Sequence, residues 1–351
     1  MNGPASFLVT YLRPLAPLLE EDGIVEVAIN SDGRVWYERQ GAAHMALAEG
    51  LHLAPEAARN LAGSVASEVG SAVSDKRPLV SGKIDLAGRA LRAQVVATPV
   101  VEGGPAITLR AYTKRRIDLG SIGLLYGGLR DLKADRRRAA AEIGEMATAG
   151  DIAGAMAACV ERRLDVVVSG GTSTGKTTFA RGLLDLVHPD ERIVTIEDAY
   201  ELFPDQPNAV CLRAERTGTG ETTPAKLLEA TLRLRPDRII LGELRGAEAR
   251  TFLDAINTGH GGSFTTIHAD TAVRAIDRLA LMVMATGTQM TFAEVRRYCA
   301  TSIDVIVQLG RHDGRRGVAE VHFTDTADLN SEPSGGRGSQ SEPTSFRAER
   351  R

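Results

Sequence analysis

The chain has 351 residues, 43% hydrophobic and 25% charged, which suits about two globular domains with real cores and excludes a disordered polymer. A net charge of −3 and only 4% aromatic residues leave no polybasic footprint and few stacking platforms, so no direct nucleic-acid binding is expected. Cys159, Cys211 and Cys299 lie far apart without a CxxC pair and read as reduced thiols of a cytoplasmic protein.

In chain order, the opening "MNGPASFLVTYLRPLAPLL" lacks a basic stretch and is interrupted by Arg13, Pro14 and Pro17. It is expected to be neither a signal peptide nor a membrane span, and no apolar run anywhere reaches the roughly 18 residues a span needs. "IVEVAIN" and "RVWYER" flank "SDG" and predict a hairpin turning at Asp32–Gly33. "APEAARNLAGSVASEVG" carries apolar residues at helical spacing behind Pro55, and "RALRAQVVATPVV" and "AITLRAY" predict two more strands. The charged, aperiodic "KRRID" then marks a boundary. An α+β N-terminal domain is expected over 1–116, with a linker over 117–134.

Beyond it, "DRRRAAAEIGEMATAGDIAGAMAACVERR" predicts two helices hinged at Gly150. "LDVVVSG", "TTFARGLLDLV", "RIVTIED", "PAKLLEATLRL", "RIILGE", "AEARTFLDAINTG" and "SFTTIHA" then alternate strand and helix. Such alternation predicts a parallel sheet covered on both faces, here an α/β domain over 135–326. "VIVQLGRHDGRRGVAEVHF" predicts a hairpin turning at Asp313–Gly314, and the nearly apolar-free stretch 327–351 a disordered tail.

The chemistry concentrates at Gly170, Gly171, Thr172, Ser173, Thr174, Gly175, Lys176 and Thr177, which satisfy G-x-x-x-x-G-K-[ST] between a strand and a helix, with Thr178 following. Backbone amides of such a loop cradle phosphates, Lys176 reaches the β- and γ-phosphates, and the Thr177 hydroxyl completes a Mg²⁺ shell, which calls for ATP and Mg²⁺. A glycine-rich structural turn is the bland alternative, and eight matched positions in the right frame favour the phosphate cradle. Glu243 closes "RIILGE" at a strand's carboxyl end, where α/β sheets bind ligands, and is the candidate for orienting an attacking water. Glu197 and Asp198 end "RIVTIED" in the same way, and Asp198 is placed near Mg²⁺ through water. Singly, each acid would more readily be a helix cap or a solvated loop residue; together in a P-loop domain they favour function.

"TGHGGSFTTIHADT" raises a metal reading that its spacing does not support, since His260 and His268 stand eight residues apart with no cysteine near. His268 at a strand end suits a donor that senses the terminal phosphate, weighed against an inert structural histidine; His260 reads as structural. Gly259, Gly261 and Gly262 let the backbone pass close to neighbours.

Together "GGTSTGKTT", "RIVTIEDAYEL", "LRLRPDRIILGELRGAEA" and "TGHGGSFTTIHADT" resemble the Walker A, Asp box, Walker B and His box of the type II/IV secretion NTPase superfamily. The chain is most similar to the VirB-type traffic ATPases of type IV secretion and conjugative transfer. That resemblance implies a RecA-like P-loop domain with a smaller, PAS-like α+β N-terminal domain, the two sandwiching ATP in a homohexameric ring. It implies roles for Glu243, Glu197, Asp198 and His268 as the acids and histidine of those boxes. It also nominates Arg92 and Arg110, in "RAQVVATPVV" and "ITLRAY", as N-terminal arginines that reach the phosphates. Two features depart from the wider pattern: Ser173-Thr174 replace the usual Gly-Ser, and the four-cysteine module of type II secretion and pilus-extension ATPases is missing.

The function expected is ATP hydrolysis energising a secretion or conjugation machine, with inner-membrane components as partners, at the membrane's cytoplasmic face. Phe7–Leu19 would serve either a peripheral membrane contact or its own core. A Tad-type or other type IV pilus motor is the nearest alternative. A nucleic-acid-stimulated motor such as a helicase and a non-catalytic nucleotide switch are more distant ones.

Overall fold

The computed structural model describes residues 7–86, 88–112, 118–216 and 220–324. The expected tail 327–351 and the first residue of the expected linker lie outside them.

The first half begins with α1 (Phe7–Leu12) and α2 (Ala16–Glu20), whose Leu8, Leu12 and Leu19, with Leu15 between them, are buried. Between the two readings of this segment, its leucine face covers the protein's own core. The strands β1 (Ile24–Ile29), β2 (Arg34–Arg39) and β3 (Ala46–His52), the helix α3 (Pro55–Glu68), and β4 (Leu79–Leu86), β5 (Arg89–Val96) and β6 (Ala106–Ala111) follow. The sheet runs β3-β2-β1-β6-β5-β4 with antiparallel neighbours throughout. Leu61 and Val65 of α3 pack with Val27, Ile29, Leu91 and Leu109 from the sheet. The first hairpin turns as expected: Gly33 has φ +85, and a Cβ there would stand 2.2 Å from the Leu53 carbonyl oxygen. Sequence reading missed β3 and β4, in which apolar and polar residues alternate only weakly.

The second half opens with α4 (Leu132–Thr148) and α5 (Ile152–Glu161), hinged at Gly150 with φ +90. Then come β7 (Val166–Gly170), α6 (Lys176–Asp185), β8 (Ile193–Glu197), β9 (Ala209–Arg213), α7 (Pro224–Thr231), β10 (Arg238–Leu244), α8 (Glu248–Asn257), β11 (Phe264–Ile267), α9 (Ala272–Met284), α10 (Phe292–Ser302), β12 (Val305–His312) and β13 (Arg315–Phe323). The sheet order is β13-β12-β7-β11-β10-β8-β9, parallel except for β13. β7 and β8 are buried along their whole length, as central strands covered on both faces must be. Two apolar clusters line the opposite faces, one around Phe252, Leu253 and Leu279, the other around Leu183, Leu184 and Val160. Among the described residues no helix is long and apolar enough to cross a membrane.

The two sheets share a junction. Val96, Val100, Val101 and Ala106 pack into the same cluster as Val210, Leu212 and Leu227, and the Arg213 amide donates to the Val100 carbonyl at 2.7 Å. Arg192 is fully buried there, donating to Asn30 Oδ1 at 2.7 Å and Leu234 O at 2.8 Å and also pairing with Asn208. Arg235 clasps Glu38 of β2 at 2.6 and 3.0 Å.

Candidate active site

β7 ends at Gly170, and the chain turns through Gly171–Gly175 into α6. Gly170 has no room for a side chain, because a Cβ would meet Thr174 Oγ1 at 2.5 Å and the Leu309 carbonyl oxygen at 3.0 Å. Gly175 takes φ +95, the left-handed conformation that glycine adopts without cost. Ser173 takes φ +60, so this departure from the family's usual glycine places a side chain where L-residues are strained by about 1–2 kcal/mol. Thr174 Oγ1 donates to Gly171 O at 3.0 Å and braces the loop. The first turn of α6 then points its free amides and positive dipole end at the loop's hollow, a ready anion site.

A cleft of about 440 Å³ opens over this loop. Thr172, Ser173, Thr174, Gly175, Lys176, Thr177 and Thr178 line it, with Glu197 and Asp198 from the end of β8, Glu243 from β10 and His268 just past β11. Parallel pairing explains the convergence: β7, β11, β10 and β8 are hydrogen-bonded neighbours running the same way, so their carboxyl ends face one space. Gly242 lets β10 lie against Glu197, whose Cγ would be 3.3 Å from an added Cβ.

Within the cleft Lys176 Nζ donates to Gly170 O at 3.0 Å and Gly171 O at 3.1 Å, and lies 3.2 Å from His268 Nδ1. His268 Nε2 stands 3.1 Å from Glu243 Oε1. An ammonium can only donate, so the imidazole accepts from Lys176, while Glu243 Oε1 faces the ring without a hydrogen-bond partner. Burial, with Lys176 nearby, lowers the His268 pKa against the opposing pull of Glu243, which keeps the ring neutral near pH 7. Burial also lowers the Lys176 pKa.

The acids are held rather than free. Glu197 Oε1 accepts the Glu201 and Leu202 amides, both at 3.0 Å, and burial raises its pKa. Asp198 receives Arg216 Nε at 2.6 and 2.7 Å, and Arg245 lies 3.4 Å away. Arg216 also reaches Glu248 at 2.8 Å and the Glu243 carbonyl at 2.8 Å, tying the ends of β8 and β10 together. Arg245 Nη2 meets Glu243 Oε2 at 2.5 Å. Sequence reading missed Arg216, Arg245 and Arg316 as residues of this region. Arg245 stands two positions after Glu243, a signal within reach, whereas Arg216 arrives from a loop with no periodicity.

The structure separates the remaining candidates from this cleft. Arg92 and Arg110 pair across β5 and β6 and line a second cleft of about 310 Å³ between the two sheets, with Glu26, Arg235, Asp237 and His260. The P-loop cleft is lined only by residues from 172 onward, so the N-terminal sheet does not close over it within one chain. His260 lies in the second cleft with Nδ1 3.2 Å from the Pro236 carbonyl, and the two histidines thus share no site. The glycines beside it do allow close passage: Gly262 has φ +84, and its Cβ would meet the Arg163 Cα at 2.9 Å.

A glycine loop between a central parallel strand and its helix, with acids at the neighbouring strand ends, defines a P-loop protein with a RecA-like α/β domain. The profile of the type II/IV secretion system protein family matches residues 52–341, and the chain belongs to that family. It is 36% identical to the conjugal transfer protein TrbB of Rhizobium radiobacter, over 88% of this chain and 85% of that protein. It is 34% identical to the type IV secretion system protein VirB11 of Brucella suis, over 89% of each chain. The crystal structure of the Brucella suis VirB11 ATPase in complex with sulphate superposes with a TM-score of 0.78 at 32% identity, covering 90% of this chain and 97% of that one.

Proposed function

We propose that this protein is an ATP-hydrolysing motor of a type IV secretion or conjugative transfer system, working as a homohexameric ring at the cytoplasmic face of the inner membrane. The observation that carries the reading is the convergence of Lys176, His268 and Glu243 over the glycine loop. The relatives named for conjugal transfer and type IV secretion match most of their length and supply the client process.

In this reading the loop amides and Lys176 bind the phosphate chain of ATP, and Lys176 leaves its contacts with Gly170 and Gly171 for the phosphate oxygens. Glu243 orients the attacking water once Arg245 releases it. His268, neutral and set between Lys176 and Glu243, reports the terminal phosphate to β11. The oxygen-only donor set of the Thr177 hydroxyl and the nearby carboxylates fits Mg²⁺, which Thr177 would hold, with Asp198 acting through water because Arg216 already occupies that carboxylate. When bound, the ion neutralises charge on the phosphates.

Arg92 and Arg110 lie at the other cleft, which supports assigning them to the phosphates of a neighbouring subunit. The segment joining the two sheets supports a subunit contact as well. Leu119, Leu125 and Leu129 are 81%, 86% and 93% exposed, an apolar stretch that a neighbouring chain would cover. The test is ATP turnover and mass in solution of the wild type and Lys176→Ala. A hexameric mass with turnover abolished in the variant and its melting temperature unchanged is expected. Near-wild-type turnover in the variant would remove the P-loop from the mechanism, and a monomer with ATP bound would remove the ring.

A further inference from the structure

The cleft is not symmetrical about its P-loop strand. Glu243, His268 and Glu197 stand at the ends of β10, β11 and β8, all on one side of β7, while β12 and β13 lie on the other. A triphosphate whose terminal phosphate faces Glu243 and His268 therefore points its nucleoside toward the β12–β13 hairpin. That hairpin is positioned by the loop itself. Leu309 of β12 pairs with Gly170, and the strand runs on past it to His312. Asp313 and Gly314 take φ +49 and +78, the two-residue turn that matches strand twist, and fold β13 back on β12.

Arg316 is carried on the returning strand and lines the cleft. Its side chain is exposed and, among the described residues, makes no hydrogen bond or ion pair. The other cations of the cleft are engaged: Lys176 by loop carbonyls and Arg245 by Glu243 and Asp198. Arg316 also sits directly opposite Arg311 in the ladder, and like charges facing across strands repel unless something compensates them. Among the described residues the aromatic rings lining the cleft are His268, at the phosphate end, and Phe264, which is 1% exposed and closed to a base. A planar guanidinium is thus the flat group available to a purine at this end.

We propose that Arg316 holds the nucleoside end of the bound nucleotide, its guanidinium lying against the adenine ring. This rests on the nucleotide reading above and adds a contact outside the P-loop, from the far end of the fold. Stacking of a cation on an aromatic face is worth enough for roughly a five- to tenfold change in affinity, and a lysine does not replace the planar group.

The experiment measures dissociation constants of ATP, ADP and inorganic tripolyphosphate for the full-length wild type, Arg316→Ala and Arg316→Lys. ATP and ADP are expected to weaken about five- to tenfold in both variants, with tripolyphosphate unchanged. Equal weakening of tripolyphosphate would put Arg316 on the phosphates, and full rescue by lysine would show that charge alone matters; either overturns the inference. Nucleotide binding by the wild type with unaltered variants overturns it too. A wild type that binds neither ATP nor tripolyphosphate would instead sink the nucleotide reading, and this contact with it.

Discussion

In the P-loop cleft the charged groups stand at the ends of parallel strands that share one core, while in the cleft between the sheets they come from two separately built halves. Lys176, His268 and Glu243 reach each other because β7, β11 and β10 are paired in register. Glu26, Arg92 and Arg110 meet Arg235, Asp237 and His260 only because the antiparallel sheet docks on the parallel one. The first cleft is a property of one domain's topology, and the second a property of the junction. Disturbing catalytic chemistry should leave the junction intact, and disturbing the junction should show first in stability.

The sharpest way to break this contrast is Glu243→Gln. Turnover should fall roughly a hundredfold or more, the scale of a lost general base, with ATP binding and melting temperature preserved. Unchanged turnover would take Glu243 out of the water-orienting role. A melting temperature that fell with it would mean that the Arg245 and His268 contacts of Glu243 serve stability instead.

Arg192→Met probes the other side. The substitution leaves Asn30 Oδ1, Asn208 Oδ1 and the Leu234 carbonyl without this donor in a buried junction, at a cost of roughly 2–4 kcal/mol. Denaturant unfolding should show that loss. A change below about 1 kcal/mol would mean that Arg192 does little to hold the two halves together.

The smallest effect expected is a slope. Burial pushes the Glu26 carboxyl up to about 7 from its ordinary 4.5, against the pull of Arg110. The folded protein therefore keeps a proton that the unfolded chain has released, and stability falls as pH rises between those two values. Asp165, buried beside Asp304 and pushed up to about 8, tilts the curve the same way, so the reading is the difference between wild type and Glu26→Gln. The variant should show a shallower decline over pH 5 to 7; parallel curves would show that Glu26 does not titrate there.

The P-loop was legible because its chemistry is contiguous: a strand, a glycine turn and a helix carry it within ten residues, and loop conformation is a local matter. Glu197, Asp198, Glu243 and His268 were legible as candidates because parallel strands place their carboxyl ends on one edge, a rule that holds wherever the alternation of strand and helix is clear. The hairpins at Gly33 and at Asp313–Gly314 were likewise written in turn chemistry. β9, α9 and α10 escaped notice, though α9 and α10 pack apolar faces onto the core.

What the chain order could not state is which groups hold the site at rest. Arg216 joins Asp198, 18 residues before it, to Glu248, 32 residues after it, and Arg316 reaches the cleft from a strand more than a hundred residues beyond the loop. Nor could it say that Arg92 and Arg110 would face the junction rather than their own chain's P-loop. Backbone conformation and strand alternation depend on neighbours a few residues away, so the amino-acid sequence by itself determined the loop, the strand ends and the sheet. Ion pairs and the meeting of two sheets depend on which surfaces are complementary in space, and only the tertiary structure decided those.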